Sequence, residues 1–268
     1  MIISGLTKEL DKRFPLNLQE KYDNAGDQVS FGNSGISSIL LSLDIDESVI
    51  NEAVEKRANL IITHHPFFFK PLSRIRSGEP SSELLLRLIK NEISLYSAHT
   101  NLDKIYFDKL GEFLGVGNRE LLIKTDEAGG RDYGFGIYGE LPAEVSLEGL
   151  LEVVKKKLGL EYVIYSGNKN SKIKKIALIG GAGGSMIEKV LKEREVQFFI
   201  NGDIGYHPCK TAANHGVPVI DAGHYGTERI LLGFLKEEIE DCLTNLDKES
   251  DLKLYISEKE ENPFKVFI

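Results

Sequence analysis

The amino-acid sequence predicts an α/β fold built from two similar lobes. Three observations carry that expectation. Short apolar, β-rich runs alternate with helical periodicity along most of the 268 residues, the pattern of parallel βαβ units. The segments ILLSLDIDESVINEAVEKRANLIITHH and IALIGGAGGSMIEKVLKEREVQFFINGD both read as strand, loop, helix, strand and polar terminus. Polar groups then recur at matching strand ends, as His99-Thr-Asn-Leu-Asp103 and His224-Tyr-Gly-Thr-Glu228. The lobes are expected at residues 1–125 and 126–268, forming one compact unit with no inserted domain.

Each element follows from local pattern. Ile39 to Leu43 is a short apolar strand, and Glu47 to Arg57 has helical spacing through Val49, Ile50, Ala53 and Val54. Asn59 to Thr63 is a strand that runs into His64-His65-Pro66. Ser81 to Glu92 is a leucine-rich helix, Ile93 to Ala98 a strand, and Phe107 to Leu114 a helix stopped by Gly115. From Leu121 to Tyr165 the pattern is less regular. Within it Tyr133 to Leu141 alternates as an antiparallel strand does, and Ser146 to Leu158 is a helix with Ser146 as N-cap and Gly159 as stop. The second α/β run has strands at Ile173 to Ile179, Val196 to Ile200 and Val217 to Asp221. Its helices are Ser185 to Arg194, His207 to His215 and Thr227 to about Leu243. Leu252 to Ser257 is a last strand candidate.

Composition excludes several classes. With 41% hydrophobic and 28% charged residues the chain is that of an ordinary globular protein. Its 41 acids against 33 bases give a net charge of −8, which argues against general nucleic-acid binding, because phosphate contacts need a basic stripe. Cys209 and Cys242 match no metal-binding or disulfide spacing and fit a reducing compartment. No apolar run is long enough for a membrane span, and MIISGLTKELDKRF lacks the apolar core of a signal peptide. A cytoplasmic location is expected.

Ligands in open α/β sheets sit beyond the carboxyl ends of strands. Four of the six histidines, His64, His65, His99 and His224, fall at such ends, together with Asp103 and Glu228. Adjacent side chains on a strand point to opposite faces, so His64 and His65 serve one site only because Pro66 ends the strand. Two imidazoles side by side, with Asp103 and Glu228 as oxygen donors, suit two divalent metals sharing a hydroxide, the design of many hydrolases. Zinc, iron, manganese and cobalt all accept such ligands. Taken singly, each residue has a plainer role: a hydrogen-bonded turn histidine, a first-turn acid at Glu228, an Asx turn at Asp103. Their joint recurrence favours the metal. His99 is a candidate proton carrier or a group that orients a ligand. Asp203 and His207, near a fourth strand end, are candidate substrate and acid–base contacts, against the plainer reading of a turn aspartate and a surface histidine. The polar turn Tyr22-Asp23-Asn24-Ala25-Gly26 is a helix stop by pattern. The glycines from Gly180 to Gly184 follow a strand and open a helix, but Met186 stands where a dinucleotide fingerprint needs its third glycine. A tight turn is the better reading there.

The motifs LIITHHPFFFKPL, YSAHTNLD, NGDIGYHPCK and DAGHYGTE, in this order, resemble the dinuclear-metal family called GTP cyclohydrolase 1 type 2, or NIF-three-like. LQEKYDNAGDQV and ENPFKVF resemble its usual beginning and end, so the likeness spans essentially the whole chain. The resemblance implies two metals on His64, His65, Asp103, His224 and Glu228, held in a cleft between two α/β lobes. It implies a toroidal homohexamer with sites facing an internal cavity, and His99 close to the metals without being a ligand. It implies substrate contacts around Asp23 and Asn24, although Tyr22 stands where the family commonly has Trp and Asp27 where it is usually apolar. The activity it implies is metal-dependent hydrolysis by a metal-bound hydroxide, with opening of the guanine ring of GTP and loss of formate, and His99 and His207 as proton carriers. The competing expectation is a non-catalytic metal-binding, metal-delivery or scaffold protein, which needs neither an open coordination position nor a substrate pocket. A third reading, a nucleotide sensor using the Gly180 loop, is the weakest, because the fingerprint fails.

Overall fold

The computed structural model describes residues 1–246 and 252–267. In chain order its elements are α1 (Ile3–Arg13), β1 (Gly26–Val29), β2 (Ser38–Ser42), α2 (Glu47–Glu55), β3 (Leu60–Thr63), α3 (Pro80–Lys90), β4 (Ser94–Ser97), α4 (Thr100–Ile105), α5 (Lys109–Leu114), β5 (Gly117–Ala128), β6 (Arg131–Ser146), α6 (Leu147–Lys157), β7 (Ile164–Ser166), β8 (Lys172–Ile179), α7 (Ile187–Glu193), β9 (Phe199–Asn201), α8 (Tyr206–Asn214), β10 (Val219–Asp221), α9 (His224–Glu228), α10 (Leu231–Leu246) and β11 (Lys253–Ile256). The chain forms two units that interleave in sequence. One holds Met1–Leu102 and Leu232–Glu261; the other holds Asp103–Leu231 and the residues from Asn262 on.

The first unit carries a five-stranded sheet in the order β1-β4-β3-β2-β11. β4, β3, β2 and β11 run parallel, and β1 is antiparallel to β4. Every residue of β2, β3 and β4 is buried, as expected of parallel strands covered on both faces. Helix α2 begins at Asp46, whose carboxylate accepts from the Val49 amide at 2.8 Å and satisfies one of the free first-turn donors. Its Val49, Ile50 and Ala53 pack with Leu40, Ile61 and Leu88.

The second unit carries a six-stranded sheet in the order β5-β6-β8-β9-β10-β7. β8, β9 and β10 are parallel, and β7 and β6 flank them antiparallel. The β5–β6 hairpin turns at Gly129 and Gly130, both left-handed with φ of 59° and 74°, as a two-residue hairpin turn requires. Ser146 caps α6 by accepting from the Gly149 amide, as expected from the sequence.

The two units repeat one topology. α1-β1-β2-α2-β3-α3-β4-α4 in the first matches α6-β7-β8-α7-β9-α8-β10-α9 in the second. In each, three parallel strands take the same spatial order and an earlier antiparallel strand closes the edge beside the third. The duplication read from polar strand ends therefore holds at the level of topology. Its register shifts by one residue. Ser97 pairs with Thr63 and Asp221 with Asn201 at the strand ends, so His99 lies two residues past its strand and His224 three. By this register Asp103 matches Thr227, and Lys104 matches Glu228.

Other differences have physical causes. A single boundary near residue 125 is not what the chain forms, because the C-terminal segment returns to the first sheet. β11 pairs with β2, and Arg13 of α1 binds Glu238 and Asp241 of α10. The stretch from Leu121 to Tyr165 is regular after all. Only Leu122 and Ile123 of β5 are buried, and its exposed charges hide a 12-residue strand. The single helix expected from Thr227 to about Leu243 is two: α9 starts at His224 and ends at Glu228, which places those two residues one turn apart, and α10 starts at Leu231. Phe107 to Leu114 is shorter, with α4 formed ahead of it. Among the described residues no helix is long and apolar enough to cross a membrane.

Candidate functional site

In the first unit the site begins where β3 ends. Backbone pairing continues past Thr63: the His64 amide donates to Ser42 O at 3.1 Å and the His65 amide to Leu43 O at 2.8 Å. Thr63 Oγ1 donates to the His65 carbonyl. Pro66, without an N–H, then ends the run. The His64, His65 and His99 rings lie 4.9, 5.2 and 5.5 Å apart between centroids, and one potential ligand atom of each falls within 4.8 Å of the others. His64 is fully buried; His65 and His99 are partly exposed.

Each ring is held from behind. His64 Nδ1 is 2.9 Å from the Ala98 carbonyl, which only accepts, so Nδ1 carries the proton and Nε2 the lone pair. His65 Nδ1 lies 3.0 Å from Asp44 Oδ2 and His99 Nδ1 2.7 Å from Asp23 Oδ1. The Asp23 side chain is fully buried. Burial alone raises its pKa, but hydrogen bonds from His99 and Thr100 outweigh that and bring it to about 2. Asp23 is thus a carboxylate whose work is to hold His99. Asn24 donates to the Phe68 carbonyl at 2.9 Å and fastens the segment after the paired histidines. These placements make both residues supports of the histidine cluster.

In the second unit His224 opens α9 after Gly223, whose φ of 76° needs glycine. His224 Nδ1 is 2.8 Å from Asp203 Oδ2, and His224 Nε2 is 2.9 Å from Glu228 Oε2. One imidazole between two carboxylates meets both with two ring protons, with a protonated carboxyl on one side, or with a cation on the Nε2 side. His224 Nε2 and Glu228 Oε2, 2.9 Å apart, are an imidazole nitrogen and a carboxylate oxygen that would together suit a divalent cation. Glu228 is buried. Gly181, at φ 58°, lies so close that a Cβ there would be 2.0 Å from Glu228 Oε1. Thr227 Oγ1 accepts from the Gly181 amide at 3.0 Å, locking loop and helix together. Asp103 and Glu228 line one small cavity of about 50 Å³.

His224 also stands on the wall of a larger pocket of about 400 Å³, with Asp203, Asp221, Tyr162, Tyr225 and Arg229. That volume suits a small-molecule ligand. Burial raises the Asp221 pKa, and the nearby Asp203 charge adds to the effect. His207 lies elsewhere. It sits exposed in the first turn of α8 with its ring edge-on to Tyr206, and it joins no group of prospective metal ligands among the described residues. Sequence reasoning did not single out Asp44, Thr100 or Thr227. Asp44 had a usable signal, being an acid just past an apolar strand. The two threonines had none, because their roles depend on hydrogen bonds made after folding.

The Duf34/NIF3 (NGG1p interacting factor 3) family model matches residues 1–263. Proteins named GTP cyclohydrolase 1 type 2 homolog from Clostridium acetobutylicum and Clostridium perfringens are 33% and 34% identical; the alignments cover 98% of this chain and 98% and 99% of theirs. A Helicobacter pylori protein named GTP cyclohydrolase 1 type 2 is 31% identical over 85% of this chain and 87% of its own. Among solved structures, Staphylococcus aureus protein SA1388 is 26% identical with a TM-score of 0.89, over 100% of this chain and 99% of that one. A Bacillus cereus protein related to NIF3 superposes with a TM-score of 0.90 at 22% identity, over the same shares.

Proposed function

The chain belongs to the Duf34/NIF3 family, and from that premise we propose that it is a metal-dependent hydrolase with two divalent ions on His64, His65, Asp103, His224 and Glu228. One observation carries the reading. His64, His65 and His224 all turn Nδ1 toward an oxygen acceptor, the arrangement that orients metal-ligating histidines. The donor set of imidazole and carboxylate fits zinc, iron, manganese or cobalt. Divalent ions held there supply Lewis acidity and activate water at neutral pH.

The chain's own residues do the rest. Asp23 keeps the Nδ1 proton on His99, which leaves Nε2 to take up or deliver a proton beside His64 and His65. Asp203 does the same for the orientation of His224, and the pocket next to it offers room for substrate. The relatives' names make GTP the first substrate to try: one water adds to the imidazole carbon of guanine and opens the ring to a formamide, and a second water hydrolyses that formamide to the free amine and formate. Assembly as a toroidal homohexamer and a cytoplasmic location belong to the same reading.

The test is metal content per chain in protein purified without chelator or metal resin, followed by formate release from GTP. Near two metals per chain, with marked loss in His65→Ala and in Glu228→Gln, supports the ligand set. Formate release that a chelator abolishes supports the hydrolase. Bound metal without turnover on any substrate would favour metal delivery instead, and no metal uptake on reconstitution would overturn both.

A further inference from the structure

Two aromatic side chains stand in water beside the histidine cluster of the first unit. Tyr22 is 62% exposed and Phe69 47%. Their ring centroids lie 6.2 Å apart at 57°, and the Phe69 ring meets His99 edge-on at 6.3 Å. Phe67 and Phe68, just before, are partly buried, so the run of three phenylalanines leaves only its last ring out. Leaving such area in water forgoes hydrophobic stabilisation, and exposed apolar patches of this kind mark binding surfaces.

The pair is also held in place from both sides. Asp23, next to Tyr22, is locked to His99 and Thr100. Phe68, next to Phe69, accepts from Asn24 Nδ2 at 2.9 Å and donates to Gln28 Oε1 at 3.1 Å. One set of hydrogen bonds therefore positions the aromatic pair and the candidate proton carrier together. Phe69 then opens a stretch, residues 69–81, in which every residue is exposed. It carries Lys70, Arg74 and Arg76 and no acid before Glu79. A long surface loop with its own charge bias is a common binding element.

We propose that Tyr22 and Phe69 form a stacking platform for the planar heteroaromatic ring of an anionic ligand, placing that ring beside His99, with Lys70 and Arg74 meeting its negative charge. This deepens the hydrolase reading and rests on it for the ligand being a substrate. Tyr22 and Phe69 determine ring recognition; they take no part in holding metal.

The experiment is calorimetric binding of GMP and of ribose 5-phosphate to the full-length, metal-loaded protein. The monophosphate avoids chelation of metal by a triphosphate, and the pair differ only by the base. GMP should bind at least tenfold more tightly. Tyr22→Ala and Phe69→Ala should each weaken GMP about tenfold, the scale of one lost base–aromatic stack. Both should leave ribose 5-phosphate binding, metal content and melting temperature unchanged, and Tyr22→Trp should retain GMP binding. Lys70→Ala with Arg74→Ala should weaken both ligands and make binding less sensitive to salt. Equal binding of GMP and ribose 5-phosphate, or full GMP affinity in both alanine variants, overturns the proposal. Failure of the hydrolase reading shows separately, as absent metal or absent formate release, while base-selective binding lost in Tyr22→Ala would still support the platform.

Discussion

At the scale of single residues, the candidate site depends on what lies behind each imidazole. A histidine alone presents either nitrogen. Here a carbonyl at His64 and a carboxylate at each of His65, His99 and His224 select Nε2. Glycine matters for a different reason at Gly181. It has a left-handed backbone, and it leaves no room for a Cβ beside Glu228. Gly181→Ala would force both. The conformational cost is about 1–2 kcal/mol, and the displaced carboxylate should lower metal affinity. A fall in melting temperature together with reduced metal content is the expected outcome. Unchanged metal content would show that the Gly181 contact does not set the position of Glu228.

At the scale of elements, strand ends and caps decide where chemistry falls. Ser146 ends the long β6 and caps α6, two jobs at one residue. Ser146→Ala should cost about 1 kcal/mol, read by urea unfolding, and Ser146→Asp should restore most of it. The glycine-rich turn after β8 is a packing device. A Cβ on Gly183 would fall 2.3 Å from Ile179 Cγ2 and 2.8 Å from Asn201 Nδ2. Asn201 in turn donates to the Ile179 and Gly181 carbonyls at 3.1 Å. Gly183→Val should therefore destabilise by about 1–3 kcal/mol, the usual cost of overpacking. Equal stability of variant and parent would remove the turn's structural role. The β5 strand shows why this level was only partly legible. Its two buried residues leave no period-2 signal for a reader of the sequence, and its pairing with β6 supplies the order instead.

At the scale of the whole molecule, the decisive fact is that the chain returns. Glu52, buried on α2, accepts from Ser257 Oγ, from the amides of Glu258 and Lys259, and from Lys56 Nζ at 3.3 Å. It fastens the segment that follows β11 to the first unit. Burial raises its pKa, yet these hydrogen bonds lower it below the ordinary glutamate value. The stabilisation is thus present above the unfolded carboxylate pKa and is lost as pH falls through the folded one. Glu52→Gln should cost about 1.5–3 kcal/mol at neutral pH, the range for hydrogen bonds to a charged group. The difference in melting temperature between parent and variant should shrink as pH drops below the ordinary carboxylate range. A difference independent of pH would show that the charge on Glu52 is not what holds the segment.

Fold class, repeat, most element positions and family are all legible in the order of residues. These rest on local physics: apolar runs that can only be buried strands, periodic helices, caps, and polar groups placed where strands end. The same order also drew His64, His65, Asp103, His224 and Glu228 together as candidates through the recurrence of scarce residues at equivalent places. Tertiary structure alone decided the rest. The interleaving of the units follows from pairing between residues more than two hundred positions apart, such as Lys253 with Ser38, and no local pattern encodes a partner at that distance. The one-residue offset between the two His-x-x-x-acid motifs depends on register across strands. The roles of Asp23, Asp44 and Asp203 depend on which imidazole each meets. A side chain's hydrogen-bond partner is a property of three-dimensional neighbours, and those exist only once the sheets have formed.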